Sequence, residues 1–286
     1  MKTQQFPCLG AIIGDTVGSV YEFDNTKDVQ FKYFTSESNY TDDSIMTIAV
    51  ADWLVSTDRS QAALEEKLVS WAKQFPCPMG GYGGGFYRWL FAPQLLGDFT
   101  EDEEMSYAHS TERHPYNSYG NGSAMRASAC GWVAKTLEEA LDLGKRSAEI
   151  THNHPEGIKG AQAVAAAIFM ARQGETKEAI RDYIEAQFGY DLHHTCDEIR
   201  PKYNWEGSCQ GTVPPAIIAF LDSTDFTSAI RLAVSLGGDS DTLACITGGI
   251  AQAFYDEIPD PTIVEMRKRL PAKFWEVMEK LVQISK

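Results

Sequence analysis

Apolar residues recur at helical spacing from one end of this 286-residue chain to the other, and strand-like alternation is almost absent. The segment TDDSIMTIAVADWL (41–54) sets Ile45, Ile48, Ala49, Asp52 and Trp53 at that spacing behind a polar head. Similar periods run through QAALEEKLVSWAKQF, SAMRASACGWVAKT, EEALDLGKRSAEI, KEAIRDYIEAQF, PPAIIAFLDS, FTSAIRLAVSL, LACITGGIAQAFY and PAKFWEVMEKLVQIS. The small-residue run KGAQAVAAAIFMARQG is apolar nearly all round, which suits a central helix. VQFKYF (29–34) is the one fair strand candidate. The pattern predicts an all-α chain of about a dozen helices. With no low-complexity linker and no internal repeat, a single domain over 1–286 is expected. TEDEEMS (100–106) reads as a solvated acidic loop.

Charge narrows the function classes. A formal net charge of −15 without a basic stripe argues against binding a nucleic-acid backbone, which clustered Lys and Arg normally neutralise. An anionic small ligand would then have to be held by backbone N–H groups, helix N-termini or metal ions. No apolar run approaches the roughly 18–20 residues that span a bilayer. The start, MKTQQFPCLGAIIGD, has one lysine and a broken apolar patch and does not read as a secretory signal. A cytoplasmic monomer is the expectation. The six cysteines (Cys8, Cys77, Cys130, Cys196, Cys209, Cys245) are scattered without CxxC spacing and read as reduced, mostly buried thiols.

GGDSDTLACITGG (237–249) carries Asp239, Ser240, Asp241 and Thr242 ahead of an apolar run with no other charge, and TDDS (41–44) has the same form. Side-chain oxygens at a helix start satisfy free N–H groups, and negative charge there is favoured by about 0.3–1 kcal/mol. Either head alone therefore reads as a cap. Together they offer four carboxylates and two threonine hydroxyls, more than capping uses. Brought together, these oxygens would form a cage suited to Mg2+ or Mn2+, and without cations they would repel.

LGAIIGDTVGSVYEF (9–23) puts Gly10, Gly14 and Gly18 on one helical face. Each mid-helix glycine costs up to about 1 kcal/mol relative to alanine, so the stripe implies close approach by a neighbouring helix or by a ligand. Glu22 follows, either facing solvent or drawn into a site. MGGYGGGFYRWL (79–90) opens an aromatic helix with bare N–H groups at Gly81, Gly83, Gly84 and Gly85 that would suit a phosphate, a plain flexible loop being the alternative. It lacks the GK[ST] ending of a P-loop and a preceding strand. NGSAMR (121–126) has the same form, with an Asn121–Gly122 turn before Ser123 and Arg126 in the first helical turn. THNHPEG (151–157) sets His152, Asn153 and His154 before Pro155, a residue favoured at the first helical position. With no third soft ligand nearby, capping or core hydrogen bonding outweighs zinc there, and HHTC (193–196) is equally unsupported.

These stretches, in this order and over essentially the whole chain, resemble the ADP-ribosylglycohydrolase family, which contains the dinitrogenase reductase-activating glycohydrolases and the ADP-ribosyl-acceptor hydrolases. The resemblance implies a compact all-α fold with a binuclear Mg2+ or Mn2+ centre at the bottom of a cleft. Thr41, Asp42 and Asp43 would ligate from the early helix, and Asp239, Asp241 and Thr242 from the late one. ADP-ribose would lie with its distal ribose over the metals and its pyrophosphate on the turns matching Gly81 to Gly85 and Asn121 to Ser123. His152 and His154 would border the cleft, and Glu22 falls where some members have a glutamate near the scissile bond.

The implied activity is removal of ADP-ribose from ADP-ribosylated protein or a small conjugate, arginine-linked in the first reading and serine-linked or free ADP-ribose derivatives in the second. A non-catalytic ADP-ribose binder or structural relative is the alternative from another class. Many all-α metal phosphohydrolases carry a His-Asp dipeptide, which this chain lacks. Glycosidic cleavage passes through an oxocarbenium-like state. Two divalent ions could fix the ribose hydroxyls and acidify a bound water, with Asp42, Asp43 or Glu22 as its proton acceptor. The insertion-like GYDLHHTCDEIRPKYNWEGSCQGTVPP (189–215) would shape the adenine end or the acceptor entrance, its Tyr203 and Trp205 either stacking on a base or packing in the core.

Overall fold

The computed structural model describes residues 6–92 and 112–285, so TEDEEMS (100–106) lies outside the described residues. Those residues form fifteen α-helices, twelve of them eight residues or longer, in an all-α arrangement. Two isolated bridges, Thr41 with Met79 and Gly120 with Ser208, are the β pairing among them.

The helix Leu9–Gly18 lies against the helix Ser240–Tyr255 at the centre of the molecule, every residue of the first being buried. The glycine stripe is the reason. A Cβ on Gly10 would fall on the carbonyl of Gly248, and one on Gly14 on the carbonyl of Ala244. One on Gly18 would come 2.5 Å from the Asp241 Cα. The backbones meet where side chains ordinarily hold helix axes about 8–10 Å apart. Gln252 seals the joint: its Oε1 accepts from the Gly10 N–H at 2.7 Å and its Nε2 donates to Phe6 O at 2.7 Å. The result positions the late acidic head beside the end of the first helix. The helix Pro155–Arg172, buried on most of its circumference, packs on both Leu137–Glu149 and Ser240–Tyr255, as its all-round apolar sequence suggests.

Three local expectations need correction. VQFKYF forms turns and bends instead of a strand. Phe31 and Tyr33 both lie under the Arg231 guanidinium, at 5.2 and 5.4 Å, and Arg231 donates to the carbonyls of Val29 and Phe31 at 2.9 Å. Their alternation serves one half-buried arginine, not a neighbouring strand. SAMRASACGWVAKT splits into two short helices, Gly122–Met125 and Ser128–Val133. Arg126 ends the first of them instead of standing in its first turn, and its Nη2 donates inward to Ser147 O at 2.7 Å and Thr151 Oγ1 at 2.8 Å.

The helix expected from Pro214 begins earlier, at Cys209, where the Ser208 hydroxyl caps the Gly211 N–H at 3.2 Å. Pro215 has no N–H for the carbonyl of Gly211, and Tyr203 Oη donates to that carbonyl at 3.0 Å in its place. All six cysteines are free, and all but Cys77 are buried. Among the described residues no helix is long and apolar enough to cross a membrane.

Candidate metal centre and cleft

The helix Asp42–Val55 begins at Thr41, whose hydroxyl accepts from the Asp43 N–H at 3.2 Å. That single bond is the cap. Behind it stands Asp15, fully buried in the first helix, which accepts from Thr41 N–H at 2.9 Å, Thr41 Oγ1 at 2.7 Å, Ser44 N–H at 3.1 Å and the Ser44 hydroxyl. Burial still raises the Asp15 carboxyl to about 6. With Thr41 and Ser44 committed to Asp15, the carboxylates of Asp42 and Asp43 are not needed for capping and line a cleft. The Asp43 Oδ2 is buried without a hydrogen-bond partner among the described residues.

The late head is arranged differently. Gly237 and Gly238, at φ 72° and 71°, turn the chain sharply into the helix Ser240–Tyr255, which no side chain caps. Asp239 Oδ2 instead accepts from Asn121 Nδ2 at 2.7 Å. Asp241 Oδ1 accepts from the Thr242 N–H at 3.0 Å, and Thr242 Oγ1 donates to Asp43 Oδ1 at 3.3 Å. This last bond joins the two heads directly. Glu22, just past the turn Ser19–Tyr21, completes the group: one oxygen each from Glu22, Asp239 and Asp241 lie within 4.8 Å of one another.

Buried acids this close repel. Burial first, and then the neighbouring carboxylates, pushes Asp42, Asp43 and Asp241 well above the ordinary range and Glu22 up to about 7. Divalent cations would relieve that repulsion. The donors are carboxylate and hydroxyl oxygens, without sulfur or imidazole, and they fit Mg2+ or Mn2+. The orphaned Asp43 Oδ2 is a donor such an ion would satisfy. Thr41 lies behind the cleft surface, its hydroxyl retaining one lone pair after bonding Asp15 and Asp43.

The cleft over this group has a volume of about 390 Å3. Gly80 to Gly85 form one wall and the turn through Gly120, Asn121 and Gly122 another. Among the described residues nothing lies within 4 Å of where a Cβ on Gly81, Gly83 or Gly84 would stand. Among the described residues the helix Gly84–Phe91 has no side-chain cap, and its first N–H groups stand at the cleft wall. Phe86, Tyr116 and His152 also line the cleft. Burial lowers the His152 pKa well below the ordinary value, with the Arg126 charge adding to it, so the ring is neutral. Arg126 Nη2 donates to Thr151 Oγ1, and that hydroxyl shares a hydrogen bond of 2.7 Å with His152 Nδ1. The other ring nitrogen, Nε2, faces the turn, 3.5 Å from where a Cβ on Gly120 would stand and 3.2 Å from one on Gly122.

The profile of the ADP-ribosylglycohydrolase family matches residues 8–285. This chain belongs to the ADP-ribosylglycohydrolase family. It is 28% identical to ADP-ribosylhydrolase ARH3 of Homo sapiens, over 88% of this chain and 86% of that protein. It is 25% identical to the ADP-ribosylarginine hydrolase Tri1 of Pseudomonas putida, over 86% and 69% respectively. The ADP-ribosyl-[dinitrogen reductase] glycohydrolase of Rhodospirillum rubrum is 22% identical, over 97% and 94%. A solved ADP-ribosylglycohydrolase-related protein complex superposes with a TM-score of 0.70 at 22% identity, covering 98% of this chain and 96% of that one. The two share a fold.

In this member of the ADP-ribosylglycohydrolase family, not every expected contact residue reaches the cleft. Ser123 is fully buried and its hydroxyl donates to Gly157 O at 2.7 Å, so it braces the turn from behind. His154 caps the helix Pro155–Arg172, its Nδ1 accepting from the Glu156 N–H at 3.1 Å, and its ring packs on Tyr119. Asn121 lines the cleft while its Nδ2 ties the turn to Asp239 and to Thr212 Oγ1. Trp205, 60% exposed, lines the cleft as well, whereas Tyr203 is committed to Gly211. Asp15 was not singled out by the sequence patterning. Its only signal is that it is the one charge in an apolar, glycine-striped helix.

Proposed function

We propose that residues 1–286 act as one ADP-ribosyl-acceptor hydrolase domain, dependent on two Mg2+ or Mn2+ ions, and that the preferred acceptor is arginine. The convergence of Glu22, Asp42, Asp43, Asp239 and Asp241 at a glycine-walled cleft carries this reading. The volume is in the range of small-ligand sites, about 300–1,000 Å3. The N–H groups of Gly83 to Gly85 and of Gly122 hold the pyrophosphate, those of Gly81 and Asn121 being taken by Pro78 O and Gly207 O, and the His152 ring borders it. The distal ribose then lies over the acidic group. Divalent cations, when bound, neutralise the carboxylates, orient the ribose hydroxyls and acidify water. The surrounding carboxylates favour the positive charge that develops on the ribose ring as the glycosidic bond breaks.

Glu22 is our choice over Asp42 and Asp43 as the residue that moves the proton. It is half-buried and belongs to neither helix head, and burial raises its carboxyl above the ordinary range. Such a carboxyl can accept a proton from water or return one to the leaving acceptor. The arginine preference is supported by Phe23, next in the chain, whose ring is 76% exposed and lines the cleft. A guanidinium stacked on such a face gains about 0.5–1 kcal/mol, and a net charge of −15 favours the approach of a cation. Six free thiols suit a reducing, cytoplasmic setting.

The test is ADP-ribose release from matched arginine- and serine-ADP-ribosylated peptides, with Mg2+, with Mn2+ and with chelator. Faster release from the arginine peptide, abolished by chelator, is expected. Preference for the serine peptide would refute the acceptor assignment, and no release from either would refute the hydrolase reading.

A further inference from the structure

Glu22 stands apart in the acidic group. Asp42 and Asp43 are fixed by a head tied to Asp15, and Asp239 and Asp241 by the start of the late helix. Glu22 sits in a loop, and among the described residues no hydrogen bond holds its carboxylate. Repulsion from Asp239 and Asp15, acting on a half-buried carboxyl, works to push that loop outward.

Asn25 opposes it. Its Nδ2 donates to Tyr21 O at 2.6 Å, Glu22 O at 2.9 Å and Gly238 O at 3.0 Å, and its Oδ1 accepts from Gly238 N–H at 2.7 Å. The amide's two N–H groups are shared among three carbonyls. One side chain thus clasps the peptide of Glu22 to the residue immediately before Asp239, across 213 positions of sequence. The far side of the clasp has little freedom, because Gly238 at φ 71° packs against Asn204 and Tyr203. Lys27 adds to it, donating from Nζ to Tyr203 O at 2.8 Å and to Leu236 O. Asn25 itself is exposed, while the Gly238 peptide it clasps is buried.

We propose that Asn25 is a positioning residue that sets the separation between the Glu22 carboxylate and the Asp239–Asp241 pair, and with it the affinity for a divalent cation. The proposal rests on the reading of the acidic group as a cation site. Supports lying behind metal ligands typically change metal affinity about 10–100-fold when removed.

The test is calorimetric titration of the full chain with Mn2+. Asn25→Ala should weaken binding by about 10–100-fold, with a modest fall in the melting temperature of the metal-free protein as the buried Gly238 N–H loses its partner. In a Glu22→Gln background the same change should cause little further loss, because the ligand it positions has been removed. Asn25→Asp keeps an acceptor for Gly238 N–H but has no donor for Glu22 O; it should be as weak as alanine, and it replaces alanine if that variant does not fold. Unchanged Mn2+ affinity in Asn25→Ala, or an equal loss in both backgrounds, overturns the proposal. Failure of the unaltered protein to bind Mn2+ removes the cation-site reading itself, and the clasp's role with it.

Discussion

Gly10, Gly14 and Gly18 lack side chains because another backbone occupies the space, whereas Gly81, Gly83 and Gly84 lack them where no atom of the described residues lies within 4 Å of a Cβ. In the first set a Cβ would strike the helix Ser240–Tyr255; in the second it would meet nothing within 4 Å. One set brings two distant segments together and so builds the acidic group. The other leaves the space beside that group free. Spacing separates the two roles: every fourth residue within a buried helix marks a contact, and a cluster at an uncapped helix start marks an opening.

The largest expected effect tests the first set. Gly14→Ala should destabilise the protein by about 3 kcal/mol, since a methyl must displace backbone and the gain in helix propensity is under about 1 kcal/mol. Urea unfolding measures it. A near-neutral result would mean that the two helices are not packed on their backbones.

Next comes Gly80, which lies between the two sets in character. At φ 75°, a Cβ there would stand 2.8 Å from Glu22 Oε2. Gly80→Ala should cost about 1–2 kcal/mol through its backbone conformation. It should also lower kcat about tenfold by displacing Glu22, with ADP-ribose affinity largely kept. Wild-type kcat in this variant would detach Gly80 from Glu22.

A smaller effect is expected at the opening. Gly84→Ala should leave stability unchanged or raise it by up to about 1 kcal/mol, because alanine is the better helix former. ADP-ribose affinity should fall about fivefold as the methyl enters the cleft. A loss of stability comparable to that of Gly14→Ala would erase the contrast between the two sets.

The pH dependence of the metal-free protein is the gentlest probe of what the first set assembles. Glu22 moves from an ordinary 4.5 up to about 7 in the fold, and Asp15 from 3.8 up to about 6. A raised carboxyl holds its proton more tightly when folded, so stability is lost as pH rises above the unfolded value and levels off past the folded one. The melting temperature of the metal-free protein should therefore fall between about pH 4.5 and pH 7. Saturating Mg2+ favours the ionised forms and should flatten or reverse that slope. A slope unaffected by Mg2+ would mean that these acids do not share a cation.

Much of the fold was legible because helical periodicity is local, and the two acidic heads were legible because they carry more oxygen ligands than a cap can use. Their meeting was not. The glycine stripe allowed a neighbouring helix or a ligand, and only the partner's position decides between them. Asp15 and Asn25 were invisible for a related reason: each is a single polar residue whose value lies in bonds to segments distant in sequence. VQFKYF misled because alternation records only which residues face inward, and here Arg231 takes the place of a neighbouring strand. The early start of the helix Cys209–Asp222 was hidden by Pro214 and Pro215, whose interruption Tyr203 repairs from outside the helix.

The central claim is that Glu22, the early head and the late head hold divalent cations jointly, and crystals grown with Mn2+ and measured at its absorption edge address it directly. Anomalous peaks touching the carboxylates of Asp43, Asp239 and Asp241 are expected, with Glu22 alongside. A map with no peak among those side chains, at Mn2+ concentrations that support turnover, would contradict it.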